Sequence, residues 1–318
     1  MYQLRQHRTR IWYGITSLGD ETIYVGLSII LYYMVSPWVG FATAIAVLLG
    51  GTLVIDLKEI FMLPRPPNPV FPEEGYGFPS GHAQVSSAFW VSLALIVRSM
   101  SIAILGAVMI ASISLSRLAL NAHYPRDVLG GIAIGSAVGV IASIMPRIAG
   151  SKYRYIHLVS PLTFLLAIIS YYIYKDITLL KIAGISLGLS IHTHIYRSLD
   201  MPSSWHIVDR IILTAVLGLI SISILYLTRG APPHLIFISY AAIGTIIPVA
   251  GYIVNSIRDI ARSGRTWLPF NSIEDLFAGV STQLPLSSRG GTRGLWLLSL
   301  PRMYMFNLGV SSISIKYC

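Results

Sequence analysis

The sequence predicts an all-α protein, a polytopic membrane bundle of about nine spanning helices, and three observations predict it. The first is composition. Of 318 residues, 54% are hydrophobic and 11% charged, against about 25% charged in a soluble domain. The second is length of run. Thr22–Ile55, Tyr155–Tyr174, Ile211–Thr228 and Gly230–Ile257 contain no Lys, Arg, Asp or Glu, and about 20 apolar residues cross a hydrocarbon core. The third is punctuation, because turn residues and charges divide these runs at helix-length intervals.

Taken in order, spans are expected near 20–37 and 39–57, divided at Ser36-Pro37-Trp38-Val39-Gly40. Leu63–Pro79 is too rich in Pro for a continuous helix, since each Pro removes a donor and clashes with the preceding turn. Spans near 81–97 and 100–117 follow, joined tightly at Arg98-Ser99, and then one near 126–145. Four more are expected near 155–174, 178–196, 209–228 and 234–256. Residues 1–150 read as a catalytic core, 151–262 as additional transmembrane helices and 263–318 as a surface-associated or disordered tail. There is no internal repeat.

The net charge of +10 reads as loop charge that sets topology and meets anionic headgroups, so nucleic acid is not an expected partner. The one cysteine, Cys318, excludes a disulfide framework and a thiolate metal site. Arg5, Arg8 and Arg10 precede no small-residue cleavage site, so no removable signal peptide is expected.

Ionisable residues at membrane depth point to function, and in the first half most of them fall in three clusters. Lys58 and Arg65-Pro66 follow the second span; Pro79-Ser80-Gly81-His82 opens the third; Ser116-Arg117, His123 and Asp127 lie between the fourth and fifth. A tight antiparallel hairpin puts the start of one span and the end of the next on the same membrane face, so the clusters converge. Lys58, Arg65 and Arg117 supply cations suited to phosphate, Arg as a planar fork and Lys as a point charge. Ser80 is a suitable N-cap, Gly81 admits a ligand to the backbone, and a helix N-terminus favours anions. Pro125 places Asp127 in the first turn of the fifth span, four residues from His123, where it can accept Nδ1–H and leave Nε2 free to attack. Phosphoryl transfer requires little beyond such positioning and charge.

The pattern Lys58-x6-Arg65-Pro66, Pro79-Ser80-Gly81-His82, Ser116-Arg117-x5-His123-x3-Asp127 resembles the type 2 phosphatidic acid phosphatase (PAP2) superfamily. That superfamily includes lipid phosphate phosphatases, polyprenyl-diphosphate phosphatases and glucose-6-phosphatase, and shares its site with vanadium haloperoxidases. The resemblance covers roughly residues 10–145, and the span layout is similar to that of glucose-6-phosphatase. It implies that His123 is the nucleophile of a phosphohistidine mechanism, Asp127 its partner and His82 the general acid. Lys58, Arg65, Ser80, Gly81 and Arg117 would bind phosphate; no metal or cofactor is implied. The expected substrate is a lipid phosphate or diphosphate, such as a polyprenyl diphosphate or phosphatidate. Transfer to an alcohol acceptor, a soluble sugar phosphate as substrate, and transport of a phosphorylated ligand without turnover stay open. Oligomeric state is not legible.

Other features read as structure. His192 and His194, with His206 nearby, are expected to be packed or interfacial, since residues two apart do not share a helix face. Gly130, Gly131, Gly135 and Gly139 are expected to allow close helix packing, and Tyr171, Tyr172 and Tyr174 an interfacial belt. Span parity puts Arg98, Arg147, Lys152, Arg154, Arg197, Arg210, Arg258 and Arg262 on the face opposite the site. That excess marks the cytoplasmic side, so the site is expected to face away from the cytoplasm. Arg5, Arg8 and Arg10 break the trend, so either the N-terminal segment lies in the interface or the chain differs by one span.

Overall fold

The computed structural model describes residues 2–148, 152–195 and 206–263. Among them are ten helices and no strand: α1 (Tyr2–Ser17), α2 (Glu21–Met34), α3 (Pro37–Phe61), α4 (Gly81–Val97), α5 (Met100–Ala119), α6 (Pro125–Ile148), α7 (Lys152–Tyr174), α8 (Ile177–Ile195), α9 (Ile207–Leu227) and α10 (Pro233–Ser263). Nine of these coincide with the expected spans. The tenth, α1, lies outside the nine expected spans and comes from the arginine-bearing N-terminal segment that breaks the charge trend; it is not among the helices apolar enough to cross a membrane. Six helices are long and apolar enough to cross a membrane, and the apolar stretches Glu21–Met34, Gly81–Val97 and Ile177–Ile191 are shorter. The side chains of His192 and His194, and the tail from 264, lie outside the described residues.

Local sequence sets the boundaries. Asp20 caps α2 by accepting from the Thr22 amide at 2.8 Å. Ser36 caps α3 with Pro37 in its first turn, where the missing donor costs nothing. Met62 ends α3 and Arg98 ends α4 in the left-handed region, with φ of 48° and 56°, so the chain reverses sharply after each.

Helix α4 is the centre of the first half and packs against α3, α5 and α6. Gln84, fully buried, donates from Nε2 to the Gly50 carbonyl at 3.0 Å and ties α4 to α3. Helix α6 lies against α4 through its glycines. A Cβ on Gly131 would stand 2.6 Å from the Ser80 carbonyl oxygen, and one on Gly135 2.1 Å from that of Gln84. Lipid tails are as apolar as side chains, so such close van der Waals contact drives association here. Trp38, Phe41, Ile45, Phe89, Ile113 and Ile182 fill one core that joins α3–α5 to α8. In the second half, α8 packs against α7 and α10. Leu158, Leu162, Leu165 and Ile169 form an exposed stripe along α7, an apolar face suited to bilayer and not to water. The chain is an integral membrane protein.

Candidate active site

The end of α3, the start of α4, the end of α5 and the start of α6 lie at one end of the bundle, with the loop 62–80 folded over them. That loop is held chiefly by Arg65. Its Nε donates to the Gly75 carbonyl at 3.0 Å, Nη2 to the Glu74 carbonyl at 3.2 Å and Nη1 to the Ala122 carbonyl at 3.3 Å. The guanidinium thus joins the loop to the α5–α6 turn.

The centre of the site is a carboxylate that the sequence motifs did not disclose. Glu73 Oε2 accepts from Arg65 Nη1 at 2.6 Å, and Glu73 Oε1 accepts from Arg117 Nη2. The His123 Nε2 lies 4.0 Å from the same carboxylate and 3.2 Å from Arg65 Nη1. Two guanidinium groups and an imidazole therefore share one seat, and an internal anion occupies it. A guanidinium can only donate, so the Nε2 facing it presents a lone pair. Burial alone would raise the Glu73 carboxyl, but Arg117 and Arg65 outweigh it and hold the group below the usual carboxylate range. Burial lowers the His123 imidazole to about 2, and Arg117, Arg65 and Lys58 push in the same direction. The nucleophile candidate is neutral at every physiological pH.

Asp127 is fully buried at the start of α6, where Oδ2 accepts from the Tyr124 amide at 2.9 Å. The expected bond from His123 Nδ1 is not formed in this geometry: Nδ1 and Oδ2 are 3.7 Å apart, beyond hydrogen-bond range. The carboxylate is turned toward the helix N-terminus, whose free amide competes for it. Ser80 also departs from expectation. It occupies the N-cap position of α4 but makes no side-chain cap; its buried hydroxyl has no partner, while its amide donates to the Asp127 carbonyl at 2.9 Å. The link holds the start of α4 to the start of α6.

His82 and Arg117 line one cavity of about 400 Å³ with Thr16, Asp20 and Glu73. Lys58, Gly81 and His82 line a second, of about 410 Å³, with Asp20, Glu21 and Lys181. All eight residues singled out in the sequence thus lie at this end. Sequence reasoning missed three contributors. Glu73 and Glu74 are the only acids in the Pro-rich loop, whose one base is Arg65, a signal that could have been read. Thr16 on α1 accepts from Arg117 Nη1 at 2.9 Å, and Gly19 lies so close to His82 that a Cβ would stand 2.9 Å from its ring. Neither carries a local signal.

Comparisons with known proteins bear on the same stretch of chain. Residues 37–150 match the family model described as PAP2 superfamily. A lipid A 1-phosphatase from Rhizobium etli is 24% identical over 169 residues, covering 44% of this chain and 72% of that protein. A decaprenylphosphoryl-5-phosphoribose phosphatase from Mycobacterium tuberculosis is 32% identical over 107 residues, covering 32% of this chain and 56% of that protein. Among solved structures, a PAP2 type phosphatidylglycerolphosphate phosphatase from Bacillus subtilis is 23% identical with a TM-score of 0.40, covering 44% of this chain and 77% of that one.

Proposed function

We infer, from the premise that the chain belongs to the PAP2 superfamily, that it is a membrane phosphatase acting on a phosphorylated lipid through a phosphohistidine at His123. The observation that carries this reading is the shared seat of Arg65, Arg117 and His123 around Glu73. A carboxylate held there by two guanidinium groups stands where the oxygens of a bound phosphoryl group would stand. The curated relatives named for lipid substrates support the substrate class.

In the reaction, Glu73 gives way to the phosphoryl group, and Arg65, Arg117 and Lys58 hold its equatorial oxygens. Arginine forks also stabilise the charge that develops in the transition state. The His123 Nε2 lone pair attacks phosphorus, the P–O ester bond breaks, and His82 gives a proton to the leaving oxygen. Water then attacks the phosphohistidine, its proton passes to His82, and the P–N bond breaks to release phosphate. Asp127, whose Oδ2 is 3.7 Å from His123 Nδ1, closes on the Nδ1 proton as the imidazole takes up charge in the attack on phosphorus.

The test is phosphate release from a panel of lipid and soluble phosphate esters by the purified protein, with a His123→Ala variant beside it. Wild type should release phosphate and carry acid-labile label, and the variant should lose both while still folded. Full activity in His123→Ala would end the mechanism. We place the site on the extracytoplasmic face, because the loops at the opposite end carry more Lys and Arg. Single cysteines answer this, introduced as Asn68→Cys and Ser263→Cys with Cys318 replaced. An impermeant thiol reagent on intact cells should label the first only; labelling of the second only would reverse the orientation.

A further inference from the structure

The family match ends at residue 150, yet α8 and the α7–α8 turn reach the site. The second cavity has Lys58, Gly81 and His82 on one wall and Glu21, Asp176 and Lys181 on another. From that polar chamber an apolar cavity of about 270 Å³ continues between α2, α3 and α8–α10, and Glu21, Thr22 and Lys181 line both. Its inner walls are Val47, Leu48, Ile182 and Ile185. Two glycines keep it open. Gly26 on α2 and Gly218 on α9 both line it, and a Cβ added to either would meet nothing within 4 Å. They differ from Gly131, Gly135 and Gly139 of α6, where a Cβ would strike backbone. On the outer side Ile222 is 63% exposed, so α9 forms a wall that faces the bilayer.

We propose that this groove holds the hydrocarbon chain of the phosphorylated lipid whose phosphate lies at Lys58 and His82. The proposal rests on the phosphatase reading and gives α8–α10 a role in it. Along α2 the lining runs from Glu21 to Ile29, about 12 Å at the α-helical rise, close to the roughly 15 Å half-thickness of a hydrocarbon core. A chain in the groove would stand as it does in the leaflet, with its phosphate at the polar end. Lys181, whose Nζ lies 5.9 Å from the Tyr240 ring, sits at the junction where an anionic headgroup passes. Burying the chain beside α9 spares it from leaving the membrane.

Two measurements test this. Gly218→Leu and Gly26→Leu fill the groove, and each variant is assayed with a long-chain alkyl phosphate and with p-nitrophenyl phosphate. The expected result is a KM at least about tenfold higher for the long chain, with p-nitrophenyl phosphate turnover within about twofold of wild type. Equal change for both substrates, or none for the long chain, overturns the groove. Separately, a diazirine-bearing long-chain alkyl phosphonate, which is not hydrolysed, is photo-crosslinked to the wild type in detergent. Label should fall on α2 and α9 near Gly26 and Gly218 and be competed by unlabelled phosphonate. Label confined to the exposed stripe of α7, around Leu158 and Leu162, would identify ordinary surface lipid and overturn the proposal. This arm needs no turnover. Absence of any phosphate release by wild type would defeat the phosphatase reading, and the crosslink pattern would still decide the groove.

Discussion

Helices α4 and α6 meet in one way and helices α2 and α9 in another, although both pairs carry glycine at the contact. On α6, a Cβ at Gly131, Gly135 or Gly139 would stand 2.6, 2.1 or 2.8 Å from a carbonyl oxygen of the residues just before or in α4. Between α2 and α9, the tyrosines Tyr32 and Tyr33 pack with Leu217, while Gly26 and Gly218 face empty space. The first contact fixes Ser80, His82 and Asp127 on one rigid frame. The second leaves room beside it. Glycine in a membrane helix therefore has two opposite uses, and the surface it faces decides which.

The largest effect expected from breaking this contrast is at the seam. Gly135→Ala should drive α6 from the Gln84 backbone, cost roughly 3 kcal/mol of stability and remove most activity. Thermal unfolding in detergent and phosphate release check it; an unchanged melting temperature would mean that the seam is looser than described. Next is Arg117→Lys, at the buried end of the same frame. A point charge cannot serve Thr16 and the anion seat together, so kcat/KM should fall about a hundredfold, and a loss under about threefold would remove Arg117 from the seat. Glu73→Gln removes the charge that an incoming anion displaces. Vanadate and phosphate should then inhibit about tenfold more tightly, about 1.4 kcal/mol, whereas weaker inhibition would make Glu73 part of the binding site.

The pH dependence sharpens the same side. Because burial and three cations disfavour the imidazolium of His123, its folded pKa is lowered and the neutral form persists as pH falls. Its ¹⁵N signals, assigned with His123→Gln, should remain those of a neutral ring from pH 8 to pH 5. A midpoint near 6.5 would contradict the environment described. The smallest effect is expected on the open side. Gly218→Ala adds a methyl group where a Cβ meets nothing within 4 Å and removes a flexible helix residue, so stability should rise by about 0.5–1 kcal/mol, read by thermal unfolding in detergent.

Much of this was legible from residues alone. Apolar runs, turn residues and charges together mark nine helices, and the hairpin at Arg98-Ser99 is enough to bring His82 and Arg117 to one end. Local rules succeeded there because helix length and turn chemistry are local. They failed where partners come from far along the chain. Glu73 sits in an aperiodic loop shaped by Arg65, so no spacing rule places it against Arg117, 44 residues away. The hydrogen bond from Arg117 to Thr16 spans 101 residues. The four-residue His123–Asp127 spacing reads as a bond from Nδ1 to the carboxylate, but no spacing rule shows that the Tyr124 amide claims the same oxygen. Gly131, Gly135 and Gly139 read correctly as packing residues, because nothing but close approach accounts for three of them on one helix.

The bond between Arg117 and Thr16 also separates the extent of the family match from working order. The family match begins at residue 37, while the hydroxyl that accepts from the most buried arginine in the matched stretch stands on α1. A transplant of residues 37–150 into another scaffold would carry every motif intact and still leave one guanidinium nitrogen without its acceptor, beside the group meant to hold phosphate. The family match draws one border here and electrostatics another. An engineer who wishes to move the chemistry must cut along the second.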